Sequence, residues 1–172
     1  VLTNSGSSNS DDIGIHLLDP QSPLQEVKPD YSYAIRQMID KDGPAGLMEK
    51  YKTLKAENPG KYTLDEDAIN TLGYAYLSQE KVEAAKAVFG INVMEFPNSS
   101  NAYDSYGEAL MIQGQKEEAI VYYQKSLELN PANSNAVAML AKMGVEVKQE
   151  EIIVEEALLQ SYTGAYELAP GF

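Results

Sequence analysis

An all-α fold is predicted for this 172-residue chain: a short α-α superhelix of stacked helix hairpins. Two full repeats are expected, with a degenerate helix hairpin before them and a capping helix after. Three observations predict this. Gly73 and Gly107, Ala85 and Ala119, and Pro97 and Pro131 are each 34 residues apart, a period of stacked helical units. Apolar residues between these markers recur at helical intervals, as in Ile69, Leu72 and Tyr76. Pro97 and Pro131 stand where a second helix should end, because proline lacks the N–H a helix needs and disfavours helical geometry in the residue before it.

The clearest unit runs from Asn101 to Pro131. Tyr103, Tyr106-Gly107, Leu110, Ala119, Tyr123 and Pro131 occupy its marker positions, with a tight turn at Gly114 between two helices. Small Gly107 and Ala119 suit a close helix crossing; Tyr103, Leu110 and Tyr123 fill the space around it. This spacing resembles the tetratricopeptide repeat, with Tyr103 in place of its tryptophan. The unit before it matches through Leu72-Gly73, Tyr76, Ala85, Phe89 and Pro97, while Ile69 replaces the first aromatic. A third unit begins at Ser134, where Val137 and Leu140 keep the register and Ala141 replaces glycine. No second helix of that unit is expected in repeat register, since Gly144 and Val145-Glu146-Val147 break the pattern. A single capping helix suits the end of such a stack.

The remaining elements follow in order. Val1–Thr3 is β-prone and stops at a polar Ser/Asn/Gly loop; Asp12–Asp19 forms a short helix ended by Pro20. Asp30 caps a helix from Tyr31 to Lys41 that places Ile35, Met38 and Ile39 on one face. Gly43 ends that helix, and Pro44 suits the first position of the next. That next helix sets Leu47, Tyr51 and Leu54 on one face and ends at Asn58-Pro59-Gly60. Thr63-Leu64-Asp65-Glu66 reads as a capping box, followed by an apolar stripe of Leu64, Ala68, Ile69, Leu72 and Tyr76. The helix from Val82 to Phe96 answers with Ala85, Val88, Phe89 and Val93. Val154–Ser161 suits one more short helix, with Leu158 and Leu159 turned to the stack. The division is thus 1–22, the end of an upstream domain; 30–60, a degenerate hairpin; 65–145, the repeats; and 146–172, a linker and the start of a downstream β domain.

A second resemblance rests on the ends. Val1-Leu2-Thr3-Asn4-Ser5, a Gly/Ser loop and Asp11-Asp12-Ile13-Gly14-Ile15-His16-Leu17-Leu18-Asp19-Pro20 resemble the last strand and helix of a β-lactamase-related, penicillin-binding-protein-like serine hydrolase. Some bacterial members carry tetratricopeptide repeats after that domain and then a small β domain, whose first strand Tyr162-Thr163-Gly164-Ala165-Tyr166-Glu167-Leu168 resembles. The resemblance implies a fragment of an exported or periplasmic bacterial hydrolase. The alternative function is part of an active hydrolase or esterase with its catalytic residues upstream. Ser78-Gln79-Glu80-Lys81 fits that family's Ser-x-x-Lys motif as text, but it flanks the turn between two repeat helices and no Tyr-x-Asn accompanies it.

Composition narrows the chemistry. Net charge is −13 and Arg36 is the only arginine, so nucleic-acid binding and anionic membranes are not expected as partners. No apolar run is long enough for membrane insertion as a spanning helix. Cysteine is absent and His16 is the only histidine. No metal site, phosphate loop or cofactor is expected, and Asp65-Glu66-Asp67 suits the positive end of a helix dipole. The chain alone is read as non-catalytic.

A groove lined by the first helix of each repeat is the expected functional surface. Its inward positions carry Asp67, Asn70 and Tyr74 in the first repeat, Asn101, Asp104 and Glu108 in the second, and Asn135, Ala138 and Lys142 in the third. One lysine beside three carboxylates does not suit a site for carboxylate ends. A neutral or basic protein or peptide, or an adjacent domain of the parent chain, suits it better. Asp67, Asp104 and Glu108 are most simply explained as solvated helix-face charges. If the groove is used, lysines at 104 and 108 together are expected to leave folding intact and to weaken binding of a basic partner.

Overall fold

The computed structural model describes residues 28–147. Those residues form seven helices: α1 (Tyr31–Asp42), α2 (Leu47–Glu57), α3 (Glu66–Leu77), α4 (Val82–Glu95), α5 (Ser100–Ile112), α6 (Lys116–Leu129) and α7 (Ser134–Lys142). The expectations for 1–22, for Val154–Ser161 and for 160–172 lie outside the described residues.

Consecutive helices pair as hairpins, α1 with α2, α3 with α4 and α5 with α6, and α7 packs on α6. First helices touch first helices (α1 with α3, α3 with α5) and second helices touch second helices (α2 with α4). This two-layer order is the helical-repeat arrangement the 34-residue period predicts.

Two apolar cores result. One joins α1–α5 through Ile35, Leu47, Tyr51, Ile69, Val88, Phe89 and Ile91, all sealed from solvent or nearly so. The other joins α5–α7 through Leu110, Ala119, Tyr123, Ala136 and Leu140. Tyr106 packs against both and meets the Tyr122 ring edge-on at 4.5 Å.

The marker glycines stand where an aromatic ring packs onto the helix, closest at Gly73. A Cβ on Gly73 would lie 2.3 Å from Phe89 Cε1, and one on Gly107 would lie 3.2 Å from Tyr123 Cε2. Each glycine therefore admits the aromatic ring of its own second helix.

One turn recurs at the end of every first repeat helix. Glu80 N donates to Leu77 O and Lys81 N to Tyr76 O; Gly114 N to Met111 O and Gln115 N to Leu110 O; Gly144 N to Ala141 O and Val145 N to Leu140 O. Each turn passes through the left-handed region, at Glu80 (φ 61°), Gly114 (77°) and Gly144 (82°). The third turn comes 30 residues after the second, four fewer than the repeat. Four residues are close to one helical turn of 3.6, so the helix is shortened without rotating its buried face. Ala141, at the place of Gly73 and Gly107, is consequently exposed.

Several local expectations are corrected. Thr63 is not a cap: its N–H donates to Pro29 O and its carbonyl accepts from Tyr31 N, forming an isolated parallel bridge with Asp30. Asp65 caps α3 instead, accepting from Ala68 N at 3.0 Å. Leu64 is 40% exposed and leaves the apolar stripe. Pro44 does not begin a helix; α2 starts at Leu47 after Gly46, which is left-handed (φ 67°). Asp30 does cap α1, accepting from Ser32 N at 2.7 Å.

Candidate functional site

The first-helix face is held together by polar side chains that reach from one repeat to the next. The caps show why. Asp65, Ser99 and Asn133 cap α3, α5 and α7 and are spaced by 34 residues. A side-chain oxygen that accepts from a free N–H at the helix start is what each of these positions needs. Two of the three do more. Ser99 donates its hydroxyl to the Glu66 carboxylate of the preceding repeat. Asn133 donates to Asp104 Oδ1 at 2.9 Å and to Ser126 Oγ at 2.8 Å.

Asp104 is buried, and both its oxygens are used. Oδ1 takes Asn133, and Oδ2 takes Asn135 Nδ2 at 2.8 Å. The burial of Asp104 and its two amide donors argue against the expectation that lysine at 104 leaves folding intact: a lysine there would strand both donors and bury a charge.

Tyr74 makes a further cross-repeat link. Its hydroxyl donates to Glu108 Oε2 at 2.9 Å and lies 3.2 Å from Ser105 Oγ. Its ring meets Phe89 edge-on at 5.2 Å, yet 37% of the residue remains exposed. Burial, reinforced by the Glu108 carboxylate against the relief from Ser105, pushes the Tyr74 hydroxyl up to about 12. Tyr123 is fully buried; burial first, then Asp104, Glu108 and Tyr74, raises its hydroxyl further. That hydroxyl has no hydrogen-bond partner among the described residues, and neither has the sealed Asn70 Oδ1.

The remaining expected residues are looser. Asn101 is exposed and reaches Glu66 Oε1 only at 3.5 Å. Asp67 is exposed on the first turn of α3. Asn135 is exposed while bonded to Asp104, and Ala138 is exposed. Lys142 is exposed, its Nζ 3.8 Å from Met139 Sδ. The structure therefore joins Tyr74 with Glu108 and Asp104 with Asn135, and leaves Asp67 and Lys142 apart. Sequence reasoning missed Glu66, Ser99, Ser105 and Asn133. For Ser99 and Asn133 the available signal was the 34-residue spacing of capping residues.

Ser78 and Lys81 lie where the sequence places them, at the α3–α4 turn. Ser78 Oγ donates to Ala75 O at 2.9 Å, and Lys81 Nζ donates to Gln79 Oε1 at 2.9 Å. No hydrogen bond joins the two side chains, although a nucleophile and its base require one. On the second-helix side, a depression of about 440 Å³ is lined by Pro44–Met48, Glu83, Lys86, Ala87, Gly90 and Tyr106. Its walls are largely apolar, and none of the expected groove residues lines it.

Residues 100–133 match the family model described as Tetratricopeptide repeat. That segment spans α5, α6 and the turn into α7. Among solved structures, the second TPR domain of the human RPAP3 protein, in complex with the HSP70 peptide SGPTIEEVD, is 21% identical over 66% of this chain and 91% of that one, with a TM-score of 0.45. The first TPR of Spaghetti (RPAP3), bound to the HSP90 peptide SRMEEVD, is 20% identical over 66% of this chain and 86% of that one, also at 0.45. No curated protein matches the sequence.

Proposed function

We propose that this chain is a non-catalytic interaction module that holds a neutral or basic peptide along the first-helix face of its repeats. The carrying observation is the row of exposed or half-exposed polar groups there — Asp67, Tyr74, Asn101, Glu108 and Asn135 — standing on helices joined to one another by side-chain hydrogen bonds. Rigid helices carrying unspent donors and acceptors lower the ordering cost of binding. Carboxylates outnumber cations on this face, which favours a partner without excess negative charge. A net charge of −13 argues in the same direction against nucleic acid.

Selection of a random-peptide phage library on the full chain tests this reading. Asn101→Trp places a bulky ring on the proposed surface, and Val121→Trp places one on the outer side of α6, where Val121 is 60% exposed. Capture should fall about ten-fold or more with the first and stay level with the second, since a blocked surface loses most of its contacts. Equal capture by both variants would remove the groove from consideration.

A second reading gives this face to an adjacent domain of a longer serine hydrolase. It is supported only by the resemblance of residues 1–22 and 160–172, outside the described residues. A coding frame upstream of Val1 with a helix-borne Ser-x-x-Lys and a Tyr-x-Asn supports it; an unrelated upstream domain removes it.

A further inference from the structure

We infer that the Tyr74–Glu108 pair forms a subsite for one cationic side chain, an arginine or lysine of the bound peptide. The inference rests on the groove reading above and narrows it. Glu108 is half-buried between α3 and α5, and Tyr74 fixes its carboxylate by holding Oε2 at 2.9 Å, while no hydrogen bond is made to Oε1 among the described residues. Every donor seen at this carboxylate and at neighbouring Asp104 is neutral: a tyrosine hydroxyl and two asparagine amides. Two unspent groups lie in the same region. Asn70, one helical turn before Tyr74, keeps a sealed carbonyl oxygen without a donor among the described residues. The fully buried Tyr123 keeps a hydroxyl without a partner among the described residues, within reach of the charges of Asp104 and Glu108.

The site thus gathers negative charge and acceptors without a cation. Lys142 is the cation in register, since Tyr74, Glu108 and Lys142 succeed one another at the 34-residue period. Its Nζ rests on Met139 Sδ, and no ion pair joins it to Glu108 among the described residues. The exposed Tyr74 ring beside the carboxylate supplies the other half of a cation site, because a guanidinium can lie against an aromatic face while its edge meets a carboxylate. A citrulline has the same shape as arginine but no charge, so it separates charge recognition from simple fit.

The test uses the full chain and two blocked pentapeptides, identical except for a central arginine or citrulline, followed by heteronuclear NMR titration. The arginine peptide should shift the backbone amides of Tyr74, Ser105 and Glu108, and the citrulline peptide should bind about five-fold more weakly, as for a partly exposed ion pair. Glu108→Gln, which keeps the shape and the acceptor for Tyr74, should remove that difference. Lys142→Ala should strengthen arginine binding. Equal affinity for the two peptides with shifts on the first-helix face overturns the cation subsite and leaves the groove standing. An arginine preference that survives Glu108→Gln also overturns it. Shifts confined to α4 and α6, or none for either peptide, overturn both readings.

Discussion

Gly73 and Gly107 stand at equivalent places, yet space treats them differently. At Gly73 a Cβ would sit 2.3–2.7 Å from three atoms of the buried Phe89 ring, too close without a movement of the whole ring. At Gly107 the nearest contacts are 3.2–3.3 Å, within reach of a small shift of Tyr123. Alanine gains roughly 0.5–1 kcal/mol over glycine inside a helix, while overpacking costs roughly 1–3 kcal/mol. A contact as tight as that at Gly73 takes the upper part of the overpacking range, so after the alanine gain Gly73→Ala should destabilise the chain by about 1–2.5 kcal/mol in urea unfolding, and Gly107→Ala should lie within about 1 kcal/mol of the parent. Equal effects would mean that the two hairpins cross alike. The sequence showed that both positions must be small, because the period repeats them. It did not show which ring lay closer, because that depends on how each aromatic turns about its own helix.

At the scale of elements, the cap of α3 separates pattern from geometry. Thr63-Leu64-Asp65-Glu66 contains two residues able to cap, and the text pattern favours Thr63. The structure spends Thr63 on a backbone bridge to Asp30 and gives the cap to Asp65. Asp65→Ala should cost about 1 kcal/mol by thermal or urea unfolding, the usual worth of a cap. Thr63→Ala should stay within about 0.5 kcal/mol, because its bonds are made by the backbone. The helices themselves were legible: α1, α4, α5 and α6 follow from apolar spacing, glycine turns and prolines. Bonds between repeats were not, since Glu66 with Ser99 and Asp104 with Asn133 and Asn135 join residues about one period apart. The candidate surface was legible as a face, while the division of its carboxylates between buried Asp104 and half-exposed Glu108 was not.

For the whole molecule, two cores meet at Tyr106 and the tyrosines fill much of them. Tyr51, Tyr76 and Tyr123 are buried, the hydroxyls of Tyr76 and Tyr123 have no hydrogen-bond partner among the described residues, and burial raises all three above the ordinary tyrosine value, as it raises Tyr74. The unfolded chain loses these protons near pH 10 and the folded chain only at higher pH. Their contribution to stability is therefore full below about pH 10 and declines as pH rises toward and through the folded values. Urea midpoints should be flat with respect to these groups from pH 8 to 9.5 and fall above about pH 10, with tyrosinate absorbance appearing together with unfolding. Tyrosinate appearing fully while the chain stays folded would contradict buried, neutral tyrosines. The most direct test of the central claim is hydrogen-exchange mapping of the full chain with a peptide selected from the random library. Protection should gather on α3 and α5 around Asn70, Tyr74, Asn101 and Glu108, with little change on the outward faces of α4 and α6. Protection centred instead on the depression beside Met48 and Gly90 would contradict the claim and move the binding surface to the other side of the stack.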